Sequence, residues 1–239
     1  MELTPELSTL SVLLVGFLLG LQHAVEADHL AAVSAIVSEK KNIFSASIIG
    51  GLWGVGHTIS LFVVGVLVIF LKLQISESVE AKLEAIVGGM LVLLGVNALR
   101  KLSTAKEIHA HSHAHDGARA HTHIHLHKDK PEEKSEEKSH HRLSPRSVLI
   151  GMVHGLAGSA ALMLLVLPTI ASPVIALIYI LIFGAGSIAG MMLMSFLIGL
   201  PFHFTANNFV QLNKAIRFCA GIFSLGLGMF IIYEKLLQT

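Results

Sequence analysis

The chain has 239 residues, 53% of them hydrophobic and only 14% charged, with a net charge of +1 and a mean hydropathy of +0.71. A soluble domain carries about one quarter charged residues, so a soluble fold is excluded, and the near-neutral balance leaves no basic excess for nucleic acid. The charges are also segregated into short blocks between long uncharged ones, the pattern of an integral membrane protein.

A helical span needs roughly 20 apolar residues to cross about 30 Å of hydrocarbon. Six blocks meet this: 10–37, 46–71, 83–99, 147–168, 173–200 and 216–233. Period-two alternation is absent, which argues against a barrel. The expected fold is all-α and polytopic. The N-terminus, MELTPELSTL, is acidic where a signal peptide would be basic, so the first block is expected to be a retained helix.

That first block contains HAVEADH, residues 23–29: two histidines and two acids where lipid favours leucine. A charge at mid-bilayer costs at least ~2.5–3.5 kcal/mol on insertion scales. On a regular helix, taking His23 as the origin, Glu26 falls at roughly −60° and His29 at roughly −120°, so the three share a face. Asp28 lands at roughly +140°, off that face. Either the helix is distorted here or Asp28 supports a ligating histidine from behind. The second block places His57 at mid-helix, within Gly56-His57-Thr58. Two or three imidazoles with carboxylates make a nitrogen/oxygen site for a borderline divalent ion: nickel, cobalt or zinc. The bland reading is a buried polar network that only ties helices together.

After the third block comes HAHSHAHDGARAHTHIHLH, then a charged stretch. Ten of the fifteen histidines lie between 109 and 141. Few apolar residues and mixed charge predict a disordered loop over 103–145. Its His109, His111, His113, His115, His121, His123, His125 and His127 are expected to bind transition metals weakly.

The fourth block opens Gly151-Met152-Val153-His154, echoing Gly20-Leu21-Gln22-His23. The fifth holds Phe183-Gly184-Ala185-Gly186-Ser187, echoing Trp53-Gly54-Val55-Gly56-His57. The third and sixth match only through scattered glycines. Residues 1–102 and 146–239 therefore read as two three-helix repeats. An odd number of helices per repeat makes the two insert with opposite orientation, as in secondary transporters. His154 and Ser187, at the repeat-related positions, are expected to line the pathway. His203, after Pro201 at a helix end, is expected to be interfacial. The single cysteine, Cys219, allows neither an internal disulfide nor a thiolate cage.

Lys and Arg concentrate after the first and third blocks and before the sixth, for example Lys40, Lys41, Arg100, Lys101, Lys214 and Arg217. By the positive-inside rule these connections and the His-rich loop are cytoplasmic, in a multi-pass cell-membrane protein with both termini outside.

His23-x4-Asp28-His29, with an acid at Glu26, resembles the signature of the nickel–cobalt transporter family, and Gly56-His57-Thr58 resembles that family's second histidine motif. The resemblance covers all six blocks. It implies passage of nickel or cobalt across the cytoplasmic membrane, with the signature histidines and aspartate essential. Two features depart from the longer permeases: six spans rather than eight, and His154-Gly155-Leu156-Ala157-Gly158-Ser159 where an acidic Thr-Ala-Thr-Glu segment would stand. The chain is similar to the short branch near urease-associated nickel membrane proteins and histidine-rich efflux members. Uptake is slightly favoured and efflux is the alternative.

The ligand set drawn from both lines is His23, His29 and His57, with Glu26 and Asp28 balancing charge. No cofactor is expected beyond the transported ion. The partners would be that ion, the bilayer and a cytoplasmic nickel acceptor. No Gly-x4-Gly-Lys-Ser/Thr loop for ATP occurs. Rival readings are a membrane metal sensor or chaperone, and an intramembrane metalloenzyme with Glu26 as base. The zinc-protease His-Glu-x-x-His pattern is absent.

Overall fold

The first apolar block is not one helix. In the computed structural model, which describes residues 5–38, 42–72, 76–103, 110–113, 121–124, 145–156, 170 and 172–237, it divides into α1 (Pro5–His23) and α2 (Ala27–Val37). The two helices are bent by 54° at the break. Val25 N–H bonds to the Gln22 carbonyl and Glu26 N–H to that of His23, tightening the end of α1. Glu26 then turns extended at the N-cap position of α2, its side chain making no capping bond.

The second and third blocks are α3 (Ile43–Leu71) and α4 (Glu77–Ser103). Asn42 starts α3 by accepting from the Phe44 N–H at 2.8 Å, and Lys72 in the left-handed region ends it. α5 (Pro145–Gly155) opens the fourth block; most of that block's remainder lies outside the described residues. The last two blocks are α6 (Pro173–Asn208), begun by Ser172 and Pro173, and α7 (Val210–Leu237).

Three of these helices, over Ile43–Leu71, Pro173–Ala206 and Val210–Leu236, are long and apolar enough to cross a membrane, and the bent α1–α2 pair makes a fourth if it is one span. α4 has similar length but carries Glu77, Glu80, Lys82 and Glu84 at its start and Arg100 and Lys101 at its end. Large apolar side chains such as Leu14, Leu18, Phe44, Leu93 and Phe230 point outward, while His23, His29, His57, His154, Ser187, Ser195 and Ser224 are buried. This apolar coat around polar groups suits lipid on the outside. The protein is a helical membrane protein.

One departure from the all-helical expectation lies in the His-rich segment. β1 (Ala110–His113) and β2 (His121–Ile124) pair antiparallel, with Ala110 opposite Ile124, His111 opposite His123, Ser112 opposite Thr122 and His113 opposite His121. The rest of that segment lies outside the described residues.

Helix crossings are made at glycines, which let backbones approach without side chains between them. At the α1–α6 crossing, Gly186 faces the Phe17 carbonyl and Leu21 N–H, and Gly20 faces the Phe183 carbonyl. At the α3–α5 crossing, Gly56 faces the Val148 carbonyl and Met152 N–H, and Gly151 faces the Trp53 carbonyl. α4 and α7 run together with Gly88 against Gly228 and Gly95 against Gly221.

Candidate metal site

The break between α1 and α2 resolves the angular conflict over Asp28. A continuous helix would send it away from His23 and His29. Restarting the helix at Ala27 re-aims it, and its two oxygens take different partners. Oδ1 accepts from the His29 backbone N–H at 2.8 Å and from the His29 ring Nδ1 at 2.9 Å. Oδ2 accepts from the His154 Nε2 at 3.1 Å. Glu26 Oε1 accepts from the His23 Nδ1 at 2.7 Å. Asp28 also sits in the first turn of α2, where the helix dipole favours an anion.

These bonds assign the tautomers. A carboxylate only accepts, so each ring nitrogen facing one carries a proton, and in the neutral ring the other nitrogen keeps its lone pair. For His29 the free lone pair is on Nε2, and for His154 it is on Nδ1. Both nitrogens are buried with no hydrogen-bond partner among the described residues. His23 turns its Nε2 to the His57 Nε2 at 3.2 Å. A carboxylate behind the imidazole, present here for His23, His29 and His154, is the arrangement that orients metal-ligating histidines and raises their basicity.

Four imidazoles from four helices thus converge: His23 ends α1, His29 lies in α2, His57 in α3 and His154 in α5. Each is 0–1% exposed. The His29 ring centre is 4.4 Å from that of His23, 4.3 Å from His154 and 5.2 Å from His57. Two triads have ligand atoms close enough for one ion, His23–His29–His57 and Asp28–His29–His154, and His29 belongs to both. Aromatic rings wall the cluster. Trp53 stands edge-on to His154 at 5.2 Å and lies 5.1 Å from His29, and Phe183 lies 5.6 Å from His23.

A cavity of about 280 Å³ reaches the two carboxylates beside this cluster, lined by Glu26, Asp28, Glu84, Glu234 and Lys235 among others. Lys235 Nζ pairs with Glu84 Oε2 at 2.8 Å on its wall.

The structure therefore brings together His23, Asp28, His29 and His57, as read from the sequence, and sets His154 in the same cluster rather than merely along a pathway. Glu26 touches His23 but belongs to neither triad. Ser187 is buried in α6 outside both triads, with its hydroxyl unpartnered among the described residues. His203 is exposed at the end of α6. Of the loop histidines, His111, His113, His121 and His123 fall in the two strands, whereas His109, His115, His125 and His127 lie outside the described residues. The sequence reading did not identify Trp53 and Phe183 as walls, nor Glu84, Glu234 and Lys235 as cavity residues. The repeat alignment had matched Trp53 to Phe183 and was the available signal.

Comparison with known proteins agrees with this chemistry. The chain is 37% identical over 229 residues to the urease accessory protein UreH of Bacillus sp. (strain TB-90), covering 96% of this chain and 93% of that protein. It is 24% and 25% identical to the Arabidopsis thaliana chloroplast proteins FOR GROWTH AND FERTILITY 2 and 1, covering 92% and 91% of this chain but only 55% and 57% of those proteins. No solved structure matches the chain. The description of one family, the high-affinity nickel-transport proteins, fits residues 9–231, a stretch that holds both triads and every helix crossing. A buried, carboxylate-backed histidine cluster inside an apolar helical bundle, with that match over nearly its whole length, places this chain in the NicO family of high-affinity nickel-transport proteins.

Proposed function

We propose that the protein is a secondary transporter that carries nickel or cobalt ions across the cytoplasmic membrane, with zinc a weaker candidate. The observation that carries this is the buried cluster itself. Neutral imidazoles with lone pairs turned inward match borderline divalent ions. Asp28 and Glu26 supply negative charge beside them, so an occupied site is tolerable away from water. His23, His29 and His57 are the ligands on this reading, with His154 joining through the second triad. The two groups share the His29 imidazole and so lie side by side.

The transport reading includes six spans arranged as two inverted repeats, with both termini outside. The crossings support it: Gly186 on Phe17 and Leu21 matches Gly56 on Val148 and Met152, the partners expected if one half repeats the other. His23 and His154 are then repeat-related, as are His57 and Ser187. In this topology the start of α4 and the end of α7 lie outside, so the cavity at Glu84, Glu234 and Lys235 opens to the exterior. That arrangement, and the accessory role in the Bacillus relative's name, favour uptake toward a cytoplasmic nickel acceptor.

The test is metal flux into sealed vesicles containing only this protein, with nickel presented from either side. Saturable flux that a His29→Ala variant lacks supports the proposal. Tight binding without flux would replace it with a sensor or chaperone. Flux only from the cytoplasmic face would reverse the direction.

A further inference from the structure

The rings of the histidine cluster are closed to solvent, but the carboxylates behind them are not. The Glu26 side chain is 39% exposed and that of Asp28 18%, while His23, His29 and His154 beside them show 0%. Both carboxylates face the cavity between the start of α2, the start of α4 and the end of α7. An ion approaching from that side meets carboxylate oxygen before it meets imidazole. Glu84 of α4 and Glu234 of α7 add two more acids to the wall, and Lys235 supplies a cation. The Lys235 Nζ donates to Glu84 Oε2 at 2.8 Å. The helices that carry this pair are fixed close by. Gly88, one turn beyond Glu84, stands against the Gly228 carbonyl, which an added Cβ would approach to 2.8 Å. With the backbones held there, the part that can move is the Lys235 side chain, a compact charge on a flexible four-carbon stem.

We propose that Lys235 is a charge filter on the approach to the cluster: a tethered cation that holds Glu84 and yields it to a divalent ion but not to a monovalent one. The inference rests on the reading of the cluster as the nickel site. The wall holds four carboxylates and one ammonium, a net negative charge that draws cations of any kind. Coulomb energy scales with the product of the charges, so a dication gains about twice what an ammonium does from each carboxylate at the same distance. Sodium or potassium brings no more charge than Lys235. Either must also compete with a group tethered at the wall, whose effective concentration there is high. When a dication takes Glu84, the displaced ammonium is repelled and its long stem lets it swing toward water. As a clasp, an exposed ion pair contributes little. This one lies on the wall of a cavity whose inner carboxylates hold the rings of His23, His29 and His154, and that position gives it a role in entry.

The experiment uses the full-length protein in detergent and nickel as the ligand, followed by the emission of Trp53. This is the chain's single tryptophan, and its ring centre lies 5.1 Å from that of His29 and 5.2 Å from that of His154, so a nickel ion held at the cluster should quench it. Stopped-flow mixing gives the association rate at fixed ionic strength, with the salt supplied as sodium or as a bulky organic cation. In the parent the rate should be the same in both salts. Lys235→Met keeps the stem and removes the charge. Its association should be about tenfold faster in the organic salt, and sodium should slow it severalfold. Lys235→Arg should behave as the parent. Glu84→Gln, which takes one carboxylate from the wall and leaves the ammonium, should slow nickel in both salts. A Lys235→Met protein with the parental rate in both salts and only a lowered melting temperature would show that the pair is a clasp between α4 and α7, and would overturn the inference. So would a parent that sodium slows as much as it slows Lys235→Met. A parental rate in Glu84→Gln would overturn it even if Lys235→Met does not fold. Quenching that is absent from the parent, or that persists in His29→Ala, would instead overturn the reading of the cluster as the nickel site, and the filter with it.

Discussion

His29 is the ring that both triads share, and this sets an order among otherwise similar histidines. Removing His23 or His57 spares the Asp28–His29–His154 group, and removing His154 spares the His23–His29–His57 group. His29→Ala breaks both. Nickel titration of the purified protein should therefore show no helical-site binding for His29→Ala, and weakened but measurable binding for His23→Ala and His154→Ala. Equal losses in all three would mean that one ion uses all the rings at once. Asp28 holds two imidazoles in fixed tautomers, a task that Asn does poorly because its single carbonyl oxygen is its only acceptor. Asp28→Asn should weaken nickel binding by about 10–100-fold, the usual cost of losing a carboxylate behind a ligating histidine, with the protein still folded by circular dichroism. Wild-type affinity in that variant would remove Asp28 from the site.

The element that matters most is the bent α1–α2 pair. In a continuous helix of this sequence His23, Glu26 and His29 would share a face and Asp28 would point away from it. The break brings Asp28 back to them, and it leaves α1 ending and α2 beginning at the cluster. The glycine crossings hold the neighbouring helices at the distances this requires. Gly56 sits directly against α5 backbone, while Gly89 has no atom of the described residues within reach of an added Cβ. Gly56→Leu should force α3 from α5, carrying His57 away from His154, and should cost about 1–3 kcal/mol or more by overpacking. Gly89→Ala should be close to neutral. Thermal unfolding in detergent checks both, and a Gly56→Leu protein as stable as the parent would mean that the crossing is looser than drawn.

At the scale of the whole molecule the open matter is orientation. Single cysteines at Ser112 and Ser172, in a Cys219→Ser background, place the hairpin and the α6 start relative to the membrane. An impermeant thiol reagent applied outside intact cells should label position 172 and miss position 112. The reverse pattern would invert the topology, setting the hairpin outside and turning the acidic cavity toward the cytoplasm. The pairing of α1 with α6 and of α3 with α5 also predicts that each half depends on the other. Residues 1–102 produced alone should not bind nickel with parental affinity, because His154 is missing and Asp28 loses its bond to that ring.

The sequence by itself determined the membrane setting, the apolar blocks and the concentration of metal-ligating residue types in HAVEADH and at His57. These depend on composition and on residue types that lipid tolerates only for a purpose. The glycine and histidine echoes between the halves also pointed to His154 and Ser187 as positions worth following. Only the tertiary structure decided what those residues do together. That α1 stops at His23 could not be read locally, since neither proline nor glycine lies between His23 and Ala27 to mark a break. That Asp28 bridges His29 and His154 depends on a contact between residues 126 apart in the chain, set by the α3–α5 crossing at Gly56 and Gly151. Likewise, alternating histidines are present in the loop sequence, but which of them stand opposite one another is a matter of register, and register is fixed by strand pairing rather than by either strand alone.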